Sequence, residues 1–116
     1  MKIYRSHYYI LMFCGLIGSA AATAGDIAAG QAKATVCIAC HGANGQSQMP
    51  AIPGMVVPNI GGQYADYLSK ALRDYRSGER KNASMAGIAA GLSDEDIDNL
   101  AAYYGSLEGL TVVKRP

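Results

Sequence analysis

Tyr64, Tyr67, Leu68, Ala71, Leu72 and Tyr75 recur at steps of three and four residues, while Asp66, Lys70, Arg73 and Arg76 mostly face elsewhere. That spacing predicts an amphipathic helix over Gln63 to Ser77, with Gly78 as its stop and Asp66 and Lys70 paired one turn apart. A second helix is predicted from Asp94 to about Leu107. Ser93 caps it, its first turn is acidic (Asp94, Glu95, Asp96), and Ile97, Leu100, Ala101 and Tyr104 form its inner stripe, with Tyr103 at the margin. A shorter helix, capped by Asp26, runs from Ile27 to about Val36 and leads directly into Cys37. Gly42 to Gly62 is a loop rich in Gly, Pro, Asn and Ser, where Pro50, Pro53 and Pro58 forbid regular structure. Glu79 to Ser84 is a polar connection, followed by Met85 and a helical turn through Ala90. No strand pattern, repeat or second domain is evident.

The start of the chain has a different character. Lys2, Arg5 and His7 precede a short apolar run from Tyr8 to Ile17, and Ala22-Thr23-Ala24 offers the small residues that signal peptidase accepts. Residues 1–24 read as a cleavable export signal, so the mature domain is 25–116 and its expected place is the periplasm. The alternative is a chain tethered to the membrane by an uncleaved signal, although the run is short for a span. Cys14 follows bulky Met12 and Phe13, which do not suit lipoprotein processing, and is read as part of the discarded signal.

Removing that segment changes the composition usefully. Eight Lys and Arg then meet nine Asp and Glu, a balance that argues against a nucleic-acid partner. Lys70, Arg73, Arg80 and Lys81 read first as a solvated face and second as charges that steer a partner. Of the cysteines and histidines only Cys37, Cys40 and His41 survive. A domain this small has little core of its own, so a large apolar ligand is expected to complete it, with the long loop wrapped around that ligand.

"TVCIACHG", Thr35 to Gly42, carries the chemistry. A zinc site needs four ligands, and the mature chain has no further Cys or His; adjacent Cys40 and His41 are also poorly placed to share a tetrahedral ion. A thiol–disulfide couple normally sits in a thioredoxin-like strand–helix–strand unit, and no strands are predicted. A structural disulfide would close a tiny loop and stabilise little. Cys-x-x-Cys-His is the attachment pattern of c-type haem: the two thiols add to the porphyrin vinyl groups and the following histidine swings under the iron. The export signal supplies a suitable compartment. An axial His41 needs its second ring nitrogen held, and the Pro58 carbonyl is the candidate partner. For the sixth ligand the available sulfurs are Met49, Met55 and Met85. Met85 is favoured, because the long helix carries the chain across the molecule before a flexible connection presents it to the opposite face.

The stretches "GQAKATVCIACHG", "VPNIGGQYADYL" and "RKNASMAGIAAGLSDEDIDNLAAYY" resemble class I c-type cytochromes, above all the small periplasmic single-haem type and the halves of dihaem members. The resemblance implies a mostly α cytochrome c fold, with three main helices around one covalent haem and the first and last crossing closely. Gly30 would permit that contact against Leu100 and the Tyr103–Tyr104 pair. It also implies Cys37 and Cys40 as thioether positions, His41 and Met85 as axial ligands, and Pro58 as partner of His41. Gly87 stands near a place where the family often has proline, and Tyr64, Tyr67 or an arginine would take the place of a tryptophan on the propionates. The expected function is one-electron transfer between redox protein partners, by a carrier rather than an enzyme. Alternatives are the haem subunit of one oxidoreductase complex, an enzyme or gas sensor with a displaceable Met85, and a thiol–disulfide oxidoreductase without haem.

Overall fold

The computed structural model describes residues 24–50 and 52–109, so nearly all of the expected export signal lies outside the described residues. Within them the chain is helical, with α1 (Ile27–Lys33), α2 (Thr35–His41), α3 (Ala65–Ser77), α4 (Ala83–Ala90) and α5 (Asp94–Ser106). An isolated bridge between Ile52 and Met55 is the one β pairing among the described residues.

Local chemistry accounts for most of the boundaries. The Asp26 carboxylate accepts the Ala29 N–H at 2.8 Å and starts α1. Ser93 and Asp96 form a reciprocal capping box at α5. Gly78, at φ 82°, takes the left-handed turn that ends α3. Two boundaries differ from expectation. The helix predicted to run unbroken into Cys37 is interrupted at Ala34, whose N–H is shared between the Gly30 and Gln31 carbonyls at 2.9 and 3.2 Å. Ala34 is completely buried in the core, so packing fixes the break and redirects α2. The polar connection ahead of Met85 is also shorter than expected, because Asn82 accepts the Met85 N–H at 3.0 Å and nucleates α4. Met85 is thus the third residue of a capped helix, not part of a flexible link.

The core sits where α1 and α3 pack on α5. Ile97, Leu100, Ala101, Tyr103 and Tyr104 of α5 are all buried, with Leu68, Ala34 and Leu92 against them. Tyr103, expected at the margin, is inside. Burying the core side chains contributes about 1.5–3 kcal/mol for each large aliphatic residue. At the α1–α5 crossing the helices meet almost backbone to backbone: a Cβ on Gly30 would lie 2.0 Å from the Asn99 carbonyl oxygen and 2.8 Å from Tyr103 Cβ. The contact falls on Asn99 and Tyr103, one step along the helix from the expected Leu100. Asn99, itself buried, holds the chain just before α1 by accepting the Asp26 N–H at 2.6 Å.

Charged pairs tie α3 to α5. Arg73 reaches both Asp98 oxygens at 3.0 and 3.1 Å, and Arg76 binds Asp94 at 2.5 Å and the Leu92 carbonyl at 2.9 Å. Lys70 pairs with Asp74 rather than the expected Asp66, and the hydrogen bond to Asp74 raises the Lys70 pKa. Arg80 stacks 4.9 Å from the Tyr75 ring centroid and donates to the Tyr67 hydroxyl. Lys70, Arg73 and Arg80 therefore have partners within the chain, which weakens their reading as steering charges.

Candidate haem site

α2 presents Cys37, Cys40 and His41 at spacings of three and four residues, so all three side chains leave one face of the helix. Both sulfurs are free thiols. Cys37 is half-buried against the core and Cys40 is exposed, while His41 is 7 % exposed. Burial pushes the Cys37 thiol up from its ordinary pKa, and burial likewise raises the phenol of Tyr104 beside it.

The long loop is not structureless. It doubles back so that residues 45–47 lie beside residues 59–61. Ile60 and Gly61 donate to the Gly45 carbonyl at 2.8 and 3.1 Å, and the Asn59 side chain accepts the Ser47 N–H at 2.8 Å. The Ser47 hydroxyl donates to the Cys40 carbonyl at 3.1 Å, clamping the loop to the end of α2. This path sets the Pro58 carbonyl oxygen 2.9 Å from His41 Nδ1. A carbonyl only accepts, so Nδ1 carries a proton, and in the neutral ring the lone pair is therefore on Nε2.

The three methionines are placed differently. Met49 lines a shallow cleft with Ile38, Cys40 and Pro50, on the α2 side of the molecule. Met55 is 41 % exposed at the loop tip, next to Ile52 and Val56. Met85 is half-buried on α4, whose main packing partner is α3. Ser47, Asn59 and Asn99 brace these elements and carried no sequence signal for doing so; Asn82, which braces α4, had the form of a helix cap.

A covalent porphyrin suits this donor set. Two free thiols and an imidazole with an unused Nε2 share one helical face, and among the described residues no three His, Cys, Asp or Glu side chains gather as a cage for a bare ion. Protein contacts cover one side of α4, an almost wholly apolar helix. The sequence profile described as cytochrome c matches residues 27–108. This chain belongs to the cytochrome c family. It is 49 % identical over 88 residues to cytochrome c-554(548) of Halomonas halodenitrificans, covering 73 % of this chain and 100 % of that one. It is 46 % identical over 97 residues to cytochrome c4 of Pseudomonas aeruginosa, covering 84 % of this chain and 45 % of that one. The fold matches the crystal structure of reduced recombinant cytochrome c4 from Pseudomonas stutzeri with a TM-score of 0.66 and 40 % identity, over 75 % of this chain and 48 % of that one. The chain thus spans about half the length of the cytochrome c4 relatives and the whole of cytochrome c-554(548). As a cytochrome c it carries covalently bound haem c and transfers electrons, and its fold is the mostly α cytochrome c fold.

Proposed function

We propose that residues 25–116 form a periplasmic single-haem electron carrier, exported by a signal over residues 1–24 that is then removed. Cys37 and Cys40 hold the haem through thioether bonds, His41 Nε2 and the Met85 sulfur bind its iron, and Pro58 orients His41. Among the described residues no helix is long and apolar enough to cross a membrane. The observation that carries the reading is the 2.9 Å contact between His41 Nδ1 and the Pro58 carbonyl. It supports a ring whose tautomer and direction are held by the chain, as an axial imidazole needs.

When bound, haem c supplies the one-electron ferric–ferrous couple. The protein's part is to hold its ligands still. His41 is gripped by the doubled-back loop, and Met85 by a helix whose first turn Asn82 caps. A neutral sulfur ligand and a low-dielectric surrounding both favour the ferrous state. Ile52, Met55 and Val56 form an exposed apolar tip on the loop, suited to the small, brief contacts of redox partners.

Denaturing the exported protein should leave haem colour on the polypeptide; release of the colour overturns the attachment. Met85→Ala should lower the reduction potential and let carbon monoxide bind the ferrous iron rapidly. If Met49→Ala or Met55→Ala does this and Met85→Ala does not, the axial assignment is wrong.

A further inference from the structure

The two neighbouring tyrosines of α5 use their hydroxyls differently. Tyr103 donates to the Ala43 carbonyl at 3.2 Å and so ties α5 to the loop. Tyr104 is 3 % exposed, and its hydroxyl has no hydrogen-bond partner among the described residues. A buried, unpaired hydroxyl is costly, and Phe or Leu would fill the same space without that cost. Cys37 packs against the core cluster that contains Tyr104, and its thiol and the Tyr104 hydroxyl are near enough to perturb one another, although no hydrogen bond joins them.

Haem attachment changes what that sulfur offers. Addition of the Cys37 thiol across a vinyl group places sulfur on one carbon and the thiol hydrogen on the other, with no oxidant consumed and no group leaving. The product is a thioether that has lone pairs and no proton. A phenol beside it then faces an acceptor only.

We propose that Tyr104 is a positioning residue for electron transfer, whose O–H donates to the Cys37 thioether sulfur and thereby raises the reduction potential. This rests on the reading of Cys37 as an attachment point. The hydrogen bond draws electron density away from the sulfur and the macrocycle attached to it, which favours the state holding the extra electron. It also gives the otherwise unpaired hydroxyl its partner.

The test compares haem-loaded wild type, Tyr104→Phe and Tyr103→Phe by potentiometric titration. Resonance Raman spectra in H2O and D2O follow the C–S stretch. Tyr104→Phe should lower the midpoint potential and abolish the sensitivity of the C–S band to D2O. Tyr103→Phe should keep the wild-type potential while lowering the melting temperature. An unchanged potential in Tyr104→Phe, with a raised melting temperature, would show a space-filling ring with a wasted hydroxyl and overturn the proposal. Haem retained by all three proteins after denaturation places such a failure on Tyr104 alone, whereas haem released by the wild type removes the attachment itself.

Discussion

Replacing Gly30 by alanine tests the helix crossing on which the whole arrangement hangs. The new Cβ would stand 2.0 Å from the Asn99 carbonyl oxygen, 2.6 Å from its carbon and 2.8 Å from Tyr103 Cβ. An ordinary contact needs about 3.4 Å, so α1 and α5 must part by about 1.4 Å. No rotamer can relieve this, because the obstacle is backbone in the middle of a helix. The 2.6 Å bond from the Asp26 N–H to Asn99 lies at the same crossing and is strained by the same movement. Overpacking costs about 1–3 kcal/mol, and this site belongs at the upper end. Against it stands about 0.5–1 kcal/mol gained by replacing a helical glycine. The net loss is about 2 kcal/mol, or roughly 8–16 °C in melting temperature at about 4–8 °C per kcal/mol for a domain of this size. Gly87 provides the matched control: it is exposed on α4, and a Cβ there meets nothing within 4 Å. Gly87→Ala should therefore gain about 0.5–1 kcal/mol and melt higher. Thermal unfolding of the haem-loaded proteins, followed by far-UV circular dichroism, reads both. If Gly30→Ala melts within a degree or two of wild type, or both variants shift the same way, the backbone-to-backbone crossing is wrong.

Two further outcomes follow from caps and charges. Asn82→Ala removes the side chain that accepts the Met85 N–H and should cost about 1 kcal/mol of stability, measured by urea unfolding; Asn82→Asp should recover most of it. Acid should weaken the α5 end. The Arg76 side chain lowers the pKa of Asp94, and the Ser93 N–H, then Lys33, lower that of Asp96, both from an ordinary value near 3.8. A carboxylate depressed in the folded state contributes stability above its unfolded pKa, and that contribution disappears as pH falls through the folded pKa. The urea midpoint should hold steady between pH 7 and 5 and drop below about pH 4, with a shallower drop in Lys33→Ala, whose 3.0 Å bridge to Asp96 is gone.

What the sequence made legible was local. The stripe of α5 and the caps at Asp26, Ser93 and Gly78 depend on residues within a few positions of one another, and each emerged as read. The Cys37–Cys40–His41 cluster was equally plain, because its meaning lies in its spacing. Features set by distant contacts were harder. Ala34 has a high helix propensity, and only its burial against α5 and α3 explains the break there. Asn99 lies outside the stripe of Ile97, Leu100, Ala101 and Tyr104, and its burial makes sense only once the incoming backbone of Asp26 is placed opposite it. α4 lacks an amphipathic stripe, so periodicity hid all but one turn, although Asn82 and the alanines after it hold the signal in cap and propensity. The pairing of Lys70 with Asp74 rather than Asp66 is a choice between two carboxylates each four residues away, which spacing alone does not decide.

The apolar character of α4 links fold to function. A helix apolar on every side belongs in an interior, yet of its eight residues only Ala89 is fully buried by protein contacts, and α3 is its main neighbour. α2 likewise has α1 as its main helical neighbour and carries two thiols and an imidazole on one face, with Cys40 exposed, Cys37 half-buried and His41 buried. A domain this small has no spare core with which to cover both helices. Haem c is apolar and broad and, under the proposed attachment, anchored by the residues of α2, and so is suited to complete the packing that the chain begins. The covalent bond matters thermodynamically as well as chemically. A ligand held only by affinity stabilises a fold by an amount that falls with its free concentration, whereas one bonded to Cys37 and Cys40, as proposed, would stay through every unfolding event. A carrier exported as proposed would then rely on its cofactor for part of its core, leaving the tip of the loop that grips His41 for the proposed docking.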